Sequence, residues 1–414
     1  MKTVSIVSVL ACWAAVYSHA SFVQNEGEAL QDDQPERVVS HRIVVKHPGV
    51  DPDKPRPYSL SQALDARGQP VGYSMTVDSV ICTDNLCKVV EVQVFWDALG
   101  VYERYALADG SILEKALIVD PEASPEGEAL SAEPVEEKPV RTEDAWTAFT
   151  EADHAKLDRI LRDRSSVLKT QRLDDLTGYR DKSRVDGMSG ATPLTLKESV
   201  VEGAALSSYH LWHWANGGVV EAARKLTHQS RSEDLLRRFL VREEPHFVLF
   251  ALEHLRLDQC FNPSLVPLVH EAMVTGSEEQ IDLGLAYLKA ALPDQDALNA
   301  ELALLFQELD GRLYLLGVLD TEPKISGSLL AKLSHGLKNV DTYYELHLFL
   351  GLVEKQQQVS EVILTSVSRF LENENFFIAR RAYRFLEKQP LNEPLSKQLA
   401  AFELECERKN RALH

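Results

Sequence analysis

Seven consecutive residues, Asp186-Gly187-Met188-Ser189-Gly190-Ala191-Thr192, carry the densest chemistry in this 414-residue chain. Gly190 admits backbone angles closed to other residues and Ala191 adds no bulk, so the segment reads as a turn that can expose the Thr192 hydroxyl. Pro193, favoured in the first turn of a helix, and Thr195 put a helix start just beyond. Its unpaired N–H groups would favour an anion at that turn. At average residue usage the pattern D-x-x-[ST]-G-A-[TS] arises by chance in about one chain of this length in several hundred. A plain Ser-Gly turn before a helix accounts for the same residues without chemistry.

The segment resembles the flavinylation motif of the FMN-binding domain family, found in membrane-associated electron-transfer subunits. The resemblance implies that a flavin transferase joins FMN to Thr192 through a phosphoester bond, with Asp186, Ser189, Gly190 and Ala191 as the surrounding motif positions. It also implies an extracytoplasmic α+β domain whose bound flavin exchanges electrons with a partner protein. Of the aromatic residues downstream (Tyr209, Trp212, Trp214), Trp212 is the candidate for stacking on the isoalloxazine ring. After the motif the chain continues Pro193-Leu194-Thr195, where family members commonly have a further Thr-Ser.

Other constellations are thinner. His210 and His213, at i and i+3, would put two imidazoles on one helix face, but no third ligand stands at a matching spacing, so no metal site is expected. Packed aromatics around partly exposed histidines are the simpler reading. Asp174-Asp175 and Glu243-Glu244 are adjacent carboxylates that point apart on a helix. Catalytic residues are not assigned, and there is no P-loop, dinucleotide glycine fingerprint or nucleophile elbow. An extracytoplasmic enzyme working through Tyr209–Trp214 stands as a third class of reading.

The elements that must position these residues begin with an address. Residues 2–20 run from one Lys through an uncharged apolar core to Ser18-His19-Ala20, which fits a secretory signal peptide cut after Ala20. A lipoprotein cut before Cys12 is the lesser fit. Either places the mature chain outside the cytoplasm, periplasmic or secreted, where disulfides persist. Cys82 and Cys87 enclose a four-residue polar turn between β-rich runs and read as a disulfide across a hairpin, contributing about 2 kcal/mol. Cys260 and Cys406 fall in helical sequence and read as buried thiols.

Fold class follows from pattern. Residues 21–59 are polar and Pro-rich and read as a flexible leader, with one strand at Arg42–Lys46. From Met75 to Val119 the pattern is β, with turns at Ala98-Leu99-Gly100 and Asp109-Gly110. Residues 120–144 hold nine acids against Lys138 and Arg141 and read as an acidic disordered insert. Thr150 with Asp153 marks a helix start by a capping-box variant, and a second helix is expected over Leu196–Ala215.

From Ser232 onward everything reads as helix. Small residues recur within apolar helices at Ala251, Ala286, Gly317, Gly351 and Ala382, 35, 31, 34 and 31 residues apart. That quasi-period suits stacked helix pairs in a HEAT-like α-solenoid, with close helix approach as the reason for the small residues. The expected fold class is therefore α+β: a small β-rich, flavin-binding-like domain (60–228), then an all-α helical-repeat domain (229–414).

Composition bounds the partners. Against 44 Lys+Arg stand 63 Asp+Glu, a formal net charge of −19, which disfavours nucleic acid and anionic membranes. After signal removal no integral membrane span is expected. The two leading functional readings are an extracytoplasmic FMN-binding electron carrier with a redox or scaffold partner, and a cofactor-free helical-repeat interaction protein.

Overall fold

The computed structural model describes residues 35–83, 86–107, 116–117, 150–173, 198–202 and 204–413. They fall into two units, Met1–Arg231 and Ser232–His414.

In the first unit, period-two alternation builds an antiparallel meander. Its strands are β1 (Arg37–His47), β2 (Asp51–Leu64), β3 (Pro70–Thr83), β4 (Leu86–Asp97) and β5 (Tyr102–Leu107), hydrogen-bonded in that order. A short β6 (Ala116–Leu117) also pairs with β4. Ile43, Val45 and His47 turn inward on β1 while their neighbours face out. The leader expected over 21–59 was drawn too long, because residues 37–59 belong to the sheet. The prolines at 52, 55 and 57 misled the reading, since proline cannot donate to a ladder. They are accommodated because this half of β2 pairs with β1 alone and joins β3 only from Ser61 onward. The β3–β4 hairpin stays in step from Gly72↔Asp97 to Thr83↔Leu86, which sets Cys82 directly opposite Cys87 in backbone register.

Among the described residues, three α-helices given in full join the sheet: α1 (Glu151–Arg162), α2 (Ala205–Asn216) and α3 (Gly218–Gln229). The capping box at the start of α1 forms as expected, with the Thr150 hydroxyl accepting from Asp153 N–H and Asp153 accepting from Thr150 N–H. The helix expected over Leu196–Ala215 is interrupted: Glu198 is helical, residues 199–202 are not, and α2 starts at Ala205. Val200 and Val201 are β-branched and take a tight bridge between Val201 and Ala204 instead. The Ser208 hydroxyl locks it, accepting from Val201 N–H at 3.0 Å and donating to Ala204 O at 2.9 Å.

The sheet and α3 are joined by a directed hydrogen-bond chain through the core. His41 Nε2 donates to Gln62 Oε1, Gln62 Nε2 to Tyr73 Oη, Tyr73 Oη to Thr227 Oγ1, and Thr227 Oγ1 to the Ala98 carbonyl. Tyr73 is fully buried, and burial pushes its hydroxyl up to about 12, so it stays neutral, accepting from Gln62 and donating to Thr227.

The second unit is helical throughout its regular structure. Its α-helices are α4 (Glu233–Leu240), α5 (Pro245–Leu257), α6 (Val266–Val274), α7 (Glu278–Ala291), α8 (Gln295–Glu308), α9 (Arg312–Thr321), α10 (Gly327–Ser334), α11 (Tyr343–Gln356), α12 (Glu361–Ser368), α13 (Phe376–Leu386) and α14 (Glu393–Arg408). Helices pack against the next but one, with α7 and α9 linked through Tyr314–Asp282, giving two layers: α4, α6, α8, α10, α12 and α14 in one, α5 to α13 by odd numbers in the other. In the odd layer successive helices begin 33, 34, 31 and 33 residues apart. Arg312 at the start of α9 pairs with Glu345 in the first turn of α11, and Lys355 near the end of α11 with Asp320 near the end of α9. Neighbours in the layer therefore run parallel. Polar caps punctuate the starts, among them Ser277, Thr342, Asn375 and Asn392.

The small residues that mark this period do not all mark close approach. Ala251 and Ala382 are buried, but Ala286 is exposed, and a Cβ added at Gly317 or Gly351 would meet no atom within 4 Å. Among the described residues no helix is long and apolar enough to cross a membrane.

One glycine in the first unit is both conformationally and sterically constrained. Gly100 closes the β4–β5 turn at φ +79°, and a Cβ there would lie 2.7 Å from the Val220 carbonyl of α3. Gly100→Ala is expected to destabilise the first unit by about 2–3 kcal/mol. Tryptophan fluorescence in a urea titration reads this unit alone, because all five Trp precede Ser232.

Candidate functional site

Helix α2 holds the aromatic and histidine residues that the sequence singles out, and it is buried almost all round. Tyr209, His210, Leu211, Trp212, Trp214 and Ala215 are all buried. Its side chains answer backbone carbonyls at the end of α1 and just beyond, which lack helical partners. Trp212 Nε1 donates to Asp163 O at 2.9 Å, Asn216 Nδ2 to Leu161 O at 2.8 Å, and Tyr209 Oη to Gln171 O at 3.3 Å. From the sheet side, Trp96 Nε1 donates to Ala215 O at 2.8 Å.

His210 and His213 meet a third histidine that the sequence did not flag. His47, at the end of β1, lies 5.3 Å from His210 and 5.9 Å from His213 between ring centroids, and packs on Trp214 at 4.2 Å. Its Nε2 donates to the His210 carbonyl at 2.9 Å and its Nδ1 accepts from Gly49 N–H at 3.2 Å. Both nitrogens are thus committed and the tautomer is set, so His47 has no lone pair for a metal. Gly49 is also held close to His210, since a Cβ there would come 2.8 Å from His210 Nε2. Among the described residues no group of three or more His, Cys, Asp or Glu is placed to hold a metal ion.

Burial keeps all three imidazoles neutral. It lowers His47 to about 4 and His213 to about 4, and lowers His210 to about 3 with help from the neighbouring histidines. None is poised to exchange protons near pH 7. His213 Nε2 and Trp214 Nε1 are buried without a hydrogen-bond partner, which adds to the cost of the cluster. The arrangement is a packed polar core.

Thr192, Ser189, Gly190, Ala191 and Asp186 lie outside the described residues. The stacking partner proposed beside them does not fit: Trp212 is 2% exposed with its N–H already engaged, and Tyr209 and Trp214 are as deeply buried. No ring of these three is open to a flavin without unpacking the core.

The second unit presents a different kind of site. A cavity of about 230 Å³ opens between the starts of α11 and α13, lined by Tyr343, Asn375, Phe377, Arg380, Arg381 and Arg384. Glu354 takes Arg381 in a two-point ion pair at 3.2 and 3.0 Å, and Arg381 Nε also meets His347 Nδ1 at 3.3 Å. Arg384 Nε donates to the Leu413 carbonyl at 2.7 Å. Arg380 lies over the rings of Phe377 and Phe376 at 5.5 and 5.8 Å. Among the described residues no carboxylate pairs with Arg380 or Arg384. Sequence reasoning missed this site. The signal was present in Phe376-Phe377-Ile378-Ala379-Arg380-Arg381-Ala382-Tyr383-Arg384, a basic and aromatic run in an acidic chain, but the segment was read for its small residue.

Scans against protein-family models, curated proteins and solved structures each returned no match.

Two histidine arrangements make opposite pH dependences. The cluster of the first unit has folded values below the ordinary 6.5, so unfolding takes up protons. Its stabilisation is full above about pH 6.5 and is lost as pH falls toward 4, at up to about 4 kcal/mol per pH unit for three sites. In the second unit, His270 is buried between Glu301 (2.6 Å) and Glu308 (3.0 Å). Burial alone would lower it, but the two carboxylates outweigh that and its value is raised. That contribution is full below pH 6.5 and fades as pH rises through the folded value. Tryptophan-monitored unfolding of the first unit is expected to weaken steeply from pH 6.5 to 5, and His213→Gln to flatten the slope by about a third. His270→Gln is expected to lower the circular-dichroism melting temperature more at pH 6 than at pH 9.

Proposed function

We propose that this chain is a binding protein whose helical unit is an α-solenoid scaffold for a partner protein. The observation that carries the reading is the recurrence of helix starts at 33, 34, 31 and 33 residues in one layer. A helix pair of this length cannot bury its apolar face alone, so neighbours stack, and stacking leaves long exposed rows available for recognition. The acidity of the chain directs the choice away from nucleic acid. The apolar N-terminal segment, with its small residues before Ala20, supports an extracytoplasmic location, and the facing register of Cys82 and Cys87 supports a disulfide there. Antiparallel partners sit about 4.5–5.5 Å apart between Cα atoms, within the reach of that bond.

The full chain, tagged and isolated from its own host with mild crosslinking, is expected to retain a partner protein at fixed stoichiometry. That partner should be lost on charge or aromatic substitutions in α9 to α13 and kept on substitutions in the strands. Recovery of the chain alone under both conditions would contradict the reading.

A second reading rests on the sequence Asp186–Thr192 itself: covalent FMN on Thr192, added by a flavin transferase, for electron transfer. Tyr209, Trp212 and Trp214 are buried, and no step is assigned to the cofactor. Intact-mass measurement after co-expression with a flavin transferase is expected, on this reading, to show an FMN adduct that disappears in Thr192→Ala. An unmodified mass, or an adduct that survives the substitution, would remove it.

A further inference from the structure

We propose that the occupant of the scaffold is an extended, acidic segment of a partner protein, laid along the edge formed by the starts of α9, α11 and α13, with its carboxylates in the Arg380–Arg384 cavity. The inference rests on reading this unit as a binding scaffold and adds the place and chemistry of the partner.

Three observations converge on this edge. The second residue of each of these helices is a large apolar side chain left in solvent: Leu313 at 47% exposure, Tyr344 at 69% and Phe377 at 60%. Because the helices run parallel within one layer, these residues form one row, with a single member per repeat. Exposed apolar residues scattered singly need no explanation, but a row at matched positions does. Second, the row ends at the cavity, where Arg380 and Arg384 have no carboxylate partner among the described residues, whereas Arg381 is paired with Glu354. Arginine without a carboxylate partner beside exposed Phe and Tyr is the composition of an interface centre. Third, charge selects the ligand. On a chain of net −19 an acidic segment is repelled in general, so it binds only where local positive charge is concentrated.

Geometry then sets the segment's form. Packed helices stand about 8–10 Å apart. A polyproline-II chain advances about 3.1 Å per residue with three residues per turn, so residues i, i+3 and i+6 share a face about 9 Å apart. Apolar side chains at those three positions would meet Leu313, Tyr344 and Phe377 in turn. Glutamates or aspartates following the last one would reach the arginine cavity, where planar guanidinium groups hold carboxylates in two-point contacts.

The test uses the full chain and fluorescein-labelled twelve-residue peptides, read by anisotropy. The probe carries Leu at i, i+3 and i+6 and three Glu at one end, made in both chain directions. One direction is expected to bind, to weaken at least tenfold in Arg380→Ala and in Phe377→Ala, to weaken as salt rises, and to be unchanged in Val362→Ala, an exposed site on the other layer. Neither Arg380 nor Phe377 anchors the fold, and unchanged melting curves verify that. Equal binding by a peptide with Gln for Glu, or with Leu at i, i+2 and i+4, would overturn the proposal. So would no binding in either direction. Inorganic phosphate binding at Arg380 as tightly as the peptide, with Phe377→Ala silent, would assign the cavity to a free anion and also overturn it. If the peptides fail while the chain from its host still holds a partner, the scaffold reading stands and this site falls. If both fail, both fall.

Discussion

The first unit is organised by one constraint: helix α2 is apolar on nearly every side, so the fold must surround it and still answer its polar groups. Leu211 and Trp214 take the space between sheet and α1, and the carbonyls of His210 and Ala215 accept additional bonds from His47 and Trp96. In return, α2 supplies side-chain donors to carbonyls at the end of α1. The histidines inside this shell stay neutral because charge there would be unanswered. The aromatic side chains and His210 that make the segment conspicuous in sequence are buried in the structure. A chain of hydrogen bonds from His41 to Ala98 extends the logic to α3, so strands and helices are joined by donors that each have one acceptor.

The second unit obeys a different constraint. Each helix pair is too small to bury its own apolar face, so stability comes from neighbours. Lateral polar contacts repeat with the helices: Tyr314 with Asp282, Arg312 with Glu345, Arg381 with Glu354. With Lys289–Glu322 and Lys355–Asp320, ion pairs engage four of the seven Lys and Arg side chains in the odd helices. Arg380 and Arg384 at the α13 end escape that pairing, which is why a positive cavity persists on so acidic a chain.

Much of the architecture was legible from residue patterns. The β run from Met75, the turn at Gly100, the Thr150 cap and the helical character after Ser232 each rest on a local signal strong enough to survive tertiary context. The period in the low thirties was also visible, but for a partly mistaken reason, since Gly317 and Gly351 border open space. Illegible features were non-local. Prolines hid β2 because only the sheet shows which half of that strand lacks a second neighbour. His47 joined His210 and His213 across 163 residues, a meeting that no spacing encodes. The row of Leu313, Tyr344 and Phe377 becomes meaningful only when the helix starts are aligned.

Binding through the second unit is the account's central claim, and hydrogen–deuterium exchange on the full chain, with and without the partner recovered from its host, tests it most directly. Added protection at the starts of α9, α11 and α13, with exchange in the strands and in α1 to α3 unchanged, is the expected result. Protection gained in the first unit alone, with residues 232–414 exchanging as before, would contradict it.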